Sequence, residues 1–181
     1  LLGVVRNAQR RPAEAATALR RALALQPDST RATKEMGNAL AFQGRFAEAV
    51  PLFRTALARE PDNPDIRRAL GLALAMSASD RKAFVDAREL LSAAVAQDPD
   101  NEMLAYSLAR LPLRFNDLDG AEKGFRAAVA RHPENADAWY QLAVILLRRG
   151  DRAGHEAALR RFEALQPSRR KERTSPPDNP P

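Results

Sequence analysis

Side chains able to do acid–base, nucleophilic or metal chemistry are few in this 181-residue chain. It has no cysteine and only two histidines, His132 and His155. The missing thiols remove thiolate zinc sites, cysteine nucleophiles, iron–sulfur ligation and a disulfide scaffold together. No G-x-S-x-G, H-E-x-x-H or phosphate-binding glycine loop occurs. Gly120 and Gly124 flank the start of a helical run without the G-x-G-x-x-G context of a dinucleotide site, so they read as turn and packing residues. Glu48, Glu89, Glu122 and Glu156 recur early in helical runs, where negative charge suits a helix N-terminus. His132, beside Pro133, reads as an exposed turn residue. No catalytic, cofactor-binding or metal-ligating residue is assigned, and the chain is expected not to be an enzyme.

Arginine is what remains for chemistry. Lys and Arg number 29 against 23 Asp and Glu, a formal net charge of +6, and 25 of those bases are Arg. A guanidinium holds a carboxylate through paired hydrogen bonds, so these residues can recognise acidic partners. The bases alternate with acids and only 6% of residues are aromatic, so the chain reads as a solvated helical surface with no nucleic-acid stripe. No run approaches the ~18 consecutive apolar residues of a membrane span, and no membrane insertion is expected.

The elements that must position these groups are helices. Alanine and leucine supply most of the apolar content, and strand-forming residues are scarce. Pro27, Pro61, Pro99, Pro133 and Pro167 each end a helix-like run, spaced by 34, 38, 34 and 34 residues. Aligned on them, Ala22, Ala56, Ala94, Ala128 and Phe162 stand five residues earlier, and Leu19, Phe53, Leu91, Phe125 and Leu159 eight earlier. Ala15, Ala49, Ala87, Ala121 and His155 stand twelve earlier. These spacings trace one apolar face of a helix. A second periodic helix lies upstream in each unit, carrying Leu2-Gly3, Met36-Gly37, Leu70-Gly71, Leu108-Ala109 and Leu142-Ala143, small residues that permit close helix approach. Gly44, Asn116-Asp117 and Gly150-Asp151 mark the turns between the two helices.

With Ala49-x₃-Phe53-x₂-Ala56 before Pro61, and Trp139-x₂-Leu142-Ala143 before Leu159 and Pro167, the chain resembles the tetratricopeptide repeat (TPR) family over residues 1–167. The resemblance implies an all-α, right-handed α-solenoid of antiparallel helix pairs, in units of about 1–29, 30–63, 64–101, 102–135 and 136–167. It also implies that the leading helices line a concave groove. Carried over position by position, the partner-binding side chains would be Lys34, Asn38 and Phe42; Arg68, Leu72 and Met76; Met103, Tyr106, Arg110 and Arg114; and Tyr140, Val144 and Arg148. Tyr106 and Tyr140 could instead pack between helices. Such a surface suits a protein or peptide with acidic and apolar side chains. The function implied is a non-catalytic protein–protein interaction scaffold; the alternative is the partner- or substrate-presenting repeat portion of a larger enzyme, such as a transferase. Lys34-Glu35-Met36-Gly37-Asn38 resembles the start of the carboxylate clamp by which some family members hold a chaperone's C-terminus. The matching later places hold Ala69, Met103 and Ser107, too few ligands to neutralise a carboxylate.

Pro112 falls inside the leading helix of the fourth unit, removes the bond to Leu108, and predicts a kink or early end there. Replacing it with Ala is expected to raise the melting temperature. The third unit is long by four residues around Ser77-Ala78-Ser79-Asp80, close to one helical turn. Either Ser79 or Asp80 caps a second helix that starts a turn early, or a longer loop protrudes. The N-terminal end begins mid-helix, an edge through which self-association is expected, and any targeting signal would lie upstream of Leu1. Residues 168–181, basic and then proline-rich, read as a disordered tail carrying a net +2.

Overall fold

The computed structural model describes residues 12–174, with side chains from Ala13 to Gln166. Leu2-Gly3, the N-terminal edge and residues 175–181 lie outside the described residues. The chain divides into two compact units, Leu1–Pro99 and Asp100–Pro181. Among the described residues every regular element is helical.

The first unit holds α1 (Pro12–Leu25), α2 (Thr30–Phe42), α3 (Phe46–Arg59), α4 (Pro64–Ser77) and α5 (Arg81–Gln97). Local sequence sets each boundary. Two residues after each repeat proline stands the N-cap of the next leading helix. The Ser29 hydroxyl accepts from the Ala32 N–H at 3.2 Å, and Asn63 Oδ1 accepts from the Asp65 and Ile66 N–H groups at 3.1 and 3.2 Å. These contacts satisfy donors a helix start otherwise leaves unpaired. Between α2 and α3 the turn needs a left-handed residue, and Gly44 supplies it at φ 75°. The four extra residues of the third unit extend a helix: α5 runs 17 residues, and its N-cap Asp80 accepts from the Ala83 N–H. The added turn leaves Ala87, Leu91 and Ala94 buried on the same face.

The first unit's core is the apolar face traced by the period. Ala15, Leu19, Ala49, Phe53, Ala56, Ala87 and Leu91 are all buried, against Met36, Leu70 and Leu74 of the leading helices. An ion pair of Arg59 with Asp28, at 3.0 Å, links residues 31 apart across successive repeats.

The second unit holds α6 (Glu102–Arg110), a 3₁₀ turn (Leu111–Phe115), α7 (Leu118–Arg131), α8 (Ala136–Arg148) and α9 (Arg152–Thr174). Asn101 Oδ1 caps α6 through the Leu104 N–H at 3.2 Å, and Asn135 Oδ1 caps α8 through the Ala138 N–H at 2.7 Å. Asp117 and Asp151 cap α7 and α9, each at 2.8 Å. Arg131 pairs with Asp100 at 3.0 Å, the repeat of the Arg59–Asp28 contact. Proline ends α6 early. The α-helix is 9 residues long where α2, α4 and α8 have 13 or 14. Pro112 has no N–H to give Leu108, so the chain tightens into the 3₁₀ turn. Asn116 then reverses it at φ 55°, and the Asp117 N–H donates to the Pro112 carbonyl at 3.1 Å.

Phe125 is the centre of this core, packed with Ala121, Ala128, Leu142, Ile145 and Leu146. Helices α6 and α7 approach backbone to backbone. A Cβ on Gly124 would stand 2.8 Å from the Ala109 Cα. Gly124 is thus a packing glycine, as its lack of a nucleotide-binding context implies. The backbone of α9 continues through Pro167 to Thr174, seven residues into the segment whose composition suggested a disordered tail. Arg169, Arg170, Lys171 and Glu172 are good helix formers, so only Pro167 opposes continuation there.

Candidate functional site

The leading helices α2, α4, α6 and α8 each bury one side against the following helix and show the other to solvent. In the first unit that outer side carries Arg31, Lys34, Glu35, Asn38 and Phe42 on α2, and Arg68, Leu72 and Met76 on α4. Phe42 is 63% exposed and Met76 36%. The bases here already hold acids. Arg68 pairs with Asp65 at 2.7 Å, Lys34 lies 3.9 Å from Glu35, and Asn38 Nδ2 donates to Glu35 at 3.4 Å. A cleft of about 380 Å³ opens at the N-terminal ends of α2 and α4, lined by Thr30, Arg31, Lys34, Glu35, Glu60 and Asn63. Its acids and bases balance, and Glu60 accepts from Asn63 Nδ2 at 2.7 Å.

The same place recurs in the second unit with different chemistry. At the N-terminal ends of α6 and α8 a cleft of about 390 Å³ is lined by Asn101, Glu102, Met103, Tyr106, Asn135 and Asp137. Met103 and Tyr106 stand where the first unit has Arg31 and Lys34. Met103 is 59% exposed. Tyr106 divides its surface: the ring meets Phe125 edge-on at 5.5 Å, while the hydroxyl bonds Gln141 and lies near Arg110 and Asp137. Burial pushes its phenol above the usual range, outweighing the opposing pull of Arg110. Tyr140 is 46% exposed and leans its ring on Phe162 of α9 at 5.3 Å. Arg110, Arg114, Val144 and Arg148 lie towards the other end of α6 and α8, outside this cleft. Arg148 donates to Asn116 Oδ1 at 2.9 Å, which ties α8 to the turn that Pro112 creates.

The two histidines lie in different surroundings. His132 is not an exposed turn residue: it caps α7 and is 7% exposed, with Nε2 buried and unbonded. Its N–H closes α7 on the Ala128 carbonyl at 2.8 Å and its carbonyl accepts from the Asn135 N–H at 3.0 Å, so the residue is held between the end of α7 and the cap of α8. His155 replaces the usual alanine and is half-buried, Nδ1–H donating to the Ala143 carbonyl at 2.9 Å. A carbonyl only accepts, so the proton sits on Nδ1.

Among the described residues no cluster of three or more His, Asp or Glu could hold a metal, and no helix is long and apolar enough to cross a membrane.

The tetratricopeptide repeat family model matches residues 34–102 and 106–169. The chain belongs to this family. Among solved TPR structures it is similar to MamA, at 15% identity and TM-score 0.77, over 94% of this chain and 98% of that one. A MamA fragment from Desulfovibrio magneticus RS-1 matches at 22% identity and TM-score 0.74, over 94% and 92% of the two chains. YrrB, described as a TPR protein with an unusual peptide-binding site, matches at 22% identity and TM-score 0.71, over 91% and 83%. At these identities the structures speak for the fold: an all-α TPR solenoid built of helix pairs. No curated protein matches in sequence.

Reading the TPR register from sequence found Lys34, Met103 and Tyr106 at the clefts but missed Asp137, Glu102, Asn135 and Glu60. The first three are capping and first-turn residues, which the sequence explains fully as helix-start signals. Only the juxtaposition of two successive helix starts makes them the walls of one cleft.

Proposed function

We propose that this TPR chain is a non-catalytic protein-interaction scaffold that binds partner segments on the outer side of its leading helices. One observation carries the reading. Five of the exposed large apolar side chains, Phe42, Met76, Met103, Tyr140 and Leu147, stand on the leading helices α2, α4, α6 and α8. Among the described residues the second helices α1, α3, α5, α7 and α9 contribute one, Leu25, the last residue of α1, and the turn after α6 contributes Phe115. Exposed apolar groups concentrated on one set of helices and interspersed with charge are the marks of a protein-binding face. Arg68, Arg110 and Arg148 on these helices, and Arg114 in the turn after α6, are guanidinium groups that can exchange their present contacts for a partner's carboxylates, so the partner is read as carrying acidic as well as apolar side chains. Peptide binding by the structurally similar YrrB is in keeping with this use.

Selection of a random peptide library on the immobilised full chain tests it. Enriched peptides should combine Asp or Glu with apolar residues, and the Arg110→Glu, Arg114→Glu variant should bind them at least about tenfold more weakly. Equal binding by a variant with unchanged circular dichroism would refute the assignment of these helices.

A further inference from the structure

We propose that Arg148, held at the end of α8 by the Asn116 side chain, is the anchor for a carboxylate of a partner protein, an Asp or Glu standing next to an apolar residue. The inference rests on the reading of the leading helices as a partner-binding face and deepens it, by naming the guanidinium that is set in advance for the partner and the residue that sets it.

The spacing of the repeats puts Asn116 in register with Gly44 and Gly150. All three turn the chain at positive φ, 75° at Gly44, 55° at Asn116 and 81° at Gly150. Glycine does so without a Cβ to crowd the backbone, whereas an L side chain is strained there. The main-chain bonds are the same in each turn: the N–H groups of Gly44, Asn116 and Gly150 donate to the carbonyls of Ala41, Leu113 and Leu147. The turn itself therefore asks nothing of the Asn116 side chain. That side chain is used elsewhere, its Oδ1 accepting from an Arg148 Nη2–H at 2.9 Å between residues 32 apart. A strained residue whose side chain serves another group is an observation from which a functional role is inferred.

What the bond does to Arg148 differs from what an acid would do. Arg68, Arg131 and Arg149 spend their charge on Asp65, on Asp100, and on Asp119 with Glu122. The amide of Asn116 is neutral, so it orients the guanidinium and leaves its charge and most of its N–H donors for another acceptor. Among the described residues Arg148 makes no ion pair. The acids of the two adjoining turns, Asp117 and Asp151, cap α7 and α9 through the Gly120 and Gly154 N–H groups. No acid occurs within 109–115 or 143–149, and Arg110 and Arg114 add to the positive charge there. The C-terminal end of α8 sets only about half a unit of negative charge against it. Phe115 and Leu147, the chain neighbours of the bonded pair, are 37% and 53% exposed and offer contact to an apolar residue of the partner. A guanidinium already ordered loses less rotamer freedom on binding, which makes a held arginine the better anchor.

The experiment is NMR on the ¹⁵N-labelled full chain, following the backbone amides and the Arg148 Nε–H, titrated with capped Gly-Asp-Leu-Gly and, separately, its neutral counterpart Gly-Asn-Leu-Gly. The Asp probe should shift the Arg148 Nε–H and amides within 114–117 and 146–149 saturably, and the Asn probe should bind at least about threefold more weakly. Asn116→Gly removes the holding group but places glycine at a left-handed position. Its urea midpoint should equal or exceed the parent's, while the Asp probe weakens at least about threefold. No saturable shift, equal binding of the two probes, or an unchanged affinity in Asn116→Gly would each overturn the proposal. A midpoint below the parent's would overturn it too, by making the side chain a stabiliser of the turn. The wider reading fails separately. If acidic library peptides still require Arg110 and Arg114 while Asn116→Gly and Arg148→Gln bind them as the parent does, only this inference falls.

Discussion

Gly124 offers the sharpest test of how closely the second unit is packed. Replacing it with Ala adds a methyl whose carbon would stand 2.8 Å from the Ala109 Cα, 3.2 Å from its Cβ and 3.4 Å from its carbonyl oxygen. Carbon atoms in contact prefer about 3.5–4.0 Å, so α6 and α7 must part by roughly 0.7 Å or more. The obstacle is main chain, which cannot swing aside as a side-chain tip can. Overpacking of this kind costs about 1–3 kcal/mol, while removing a glycine from a helix interior returns about 0.5–1 kcal/mol. The net expectation is a loss of about 1–2 kcal/mol, or a melting midpoint lower by roughly 2–8 °C in a chain of this size. Thermal and urea unfolding followed by far-ultraviolet circular dichroism would measure it. Adding Ala109→Gly removes the 3.2 Å contact but not the one at 2.8 Å, so the double variant should be no more stable than Gly124→Ala. A Gly124→Ala chain at least as stable as the parent, or full rescue by Ala109→Gly, would refute the claim that backbone approach dictates this glycine.

Two further outcomes follow from local geometry. Pro112→Ala should lower stability by no more than about 1 kcal/mol, rather than raise the melting temperature as the sequence suggests. The helix already ends at Arg110, so the proline clashes with nothing, and its fixed φ limits the unfolded chain. A clear rise in the urea midpoint would contradict this. In a Tyr140→Phe chain, Tyr106 is the only tyrosine left, and its phenolate absorbance near 295 nm should appear above the ordinary value of 10.0 because burial disfavours the charged form. A phenol raised in the folded state stabilises the fold fully below the unfolded pKa, near 10, and that contribution is lost as pH climbs through the folded value. Ionisation at or below 10.0 would mean that the ring is not held against Phe125.

Much of this protein could be read from the chain because its signals are local. Pro27, Pro61, Pro99 and Pro133 each follow the end of a helix, and a Ser or Asn two residues later captures free N–H groups within its own turn; Pro167, with no such cap after it, lies within α9. The alanine, leucine and phenylalanine positions of the second helices were fixed by 3.6-residue periodicity, and from Ala15 to Ala128 nearly all of them are buried. The early end of α6 was legible in Pro112 alone. Whether the four residues before Arg81 form a loop or a helical turn was not, since Ser79 and Asp80 suit both; packing of Ala87 and Leu91 decided for the helix.

The residues that escaped the sequence reading are those whose surroundings come from the neighbouring repeat. His132 reads as a polar turn residue, yet lies buried, its backbone bonded to Ala128 of α7 and to Asn135 at the start of α8. Asn135 and Asp137 read as a cap and a first-turn acid, and they are both; only stacking sets them opposite Glu102 and Tyr106 to enclose a cleft. Gly124 reads as a small residue without a stated partner until Ala109, fifteen positions earlier in the chain, arrives against it. The sequence by itself determined the helix pairs, the capped starts of the leading helices and the buried stripes, because hydrogen bonds and periodicity act over a few residues. Tertiary structure alone decided which polar groups are buried and which charges share a cleft, because burial and field depend on atoms that the chain supplies from one repeat away.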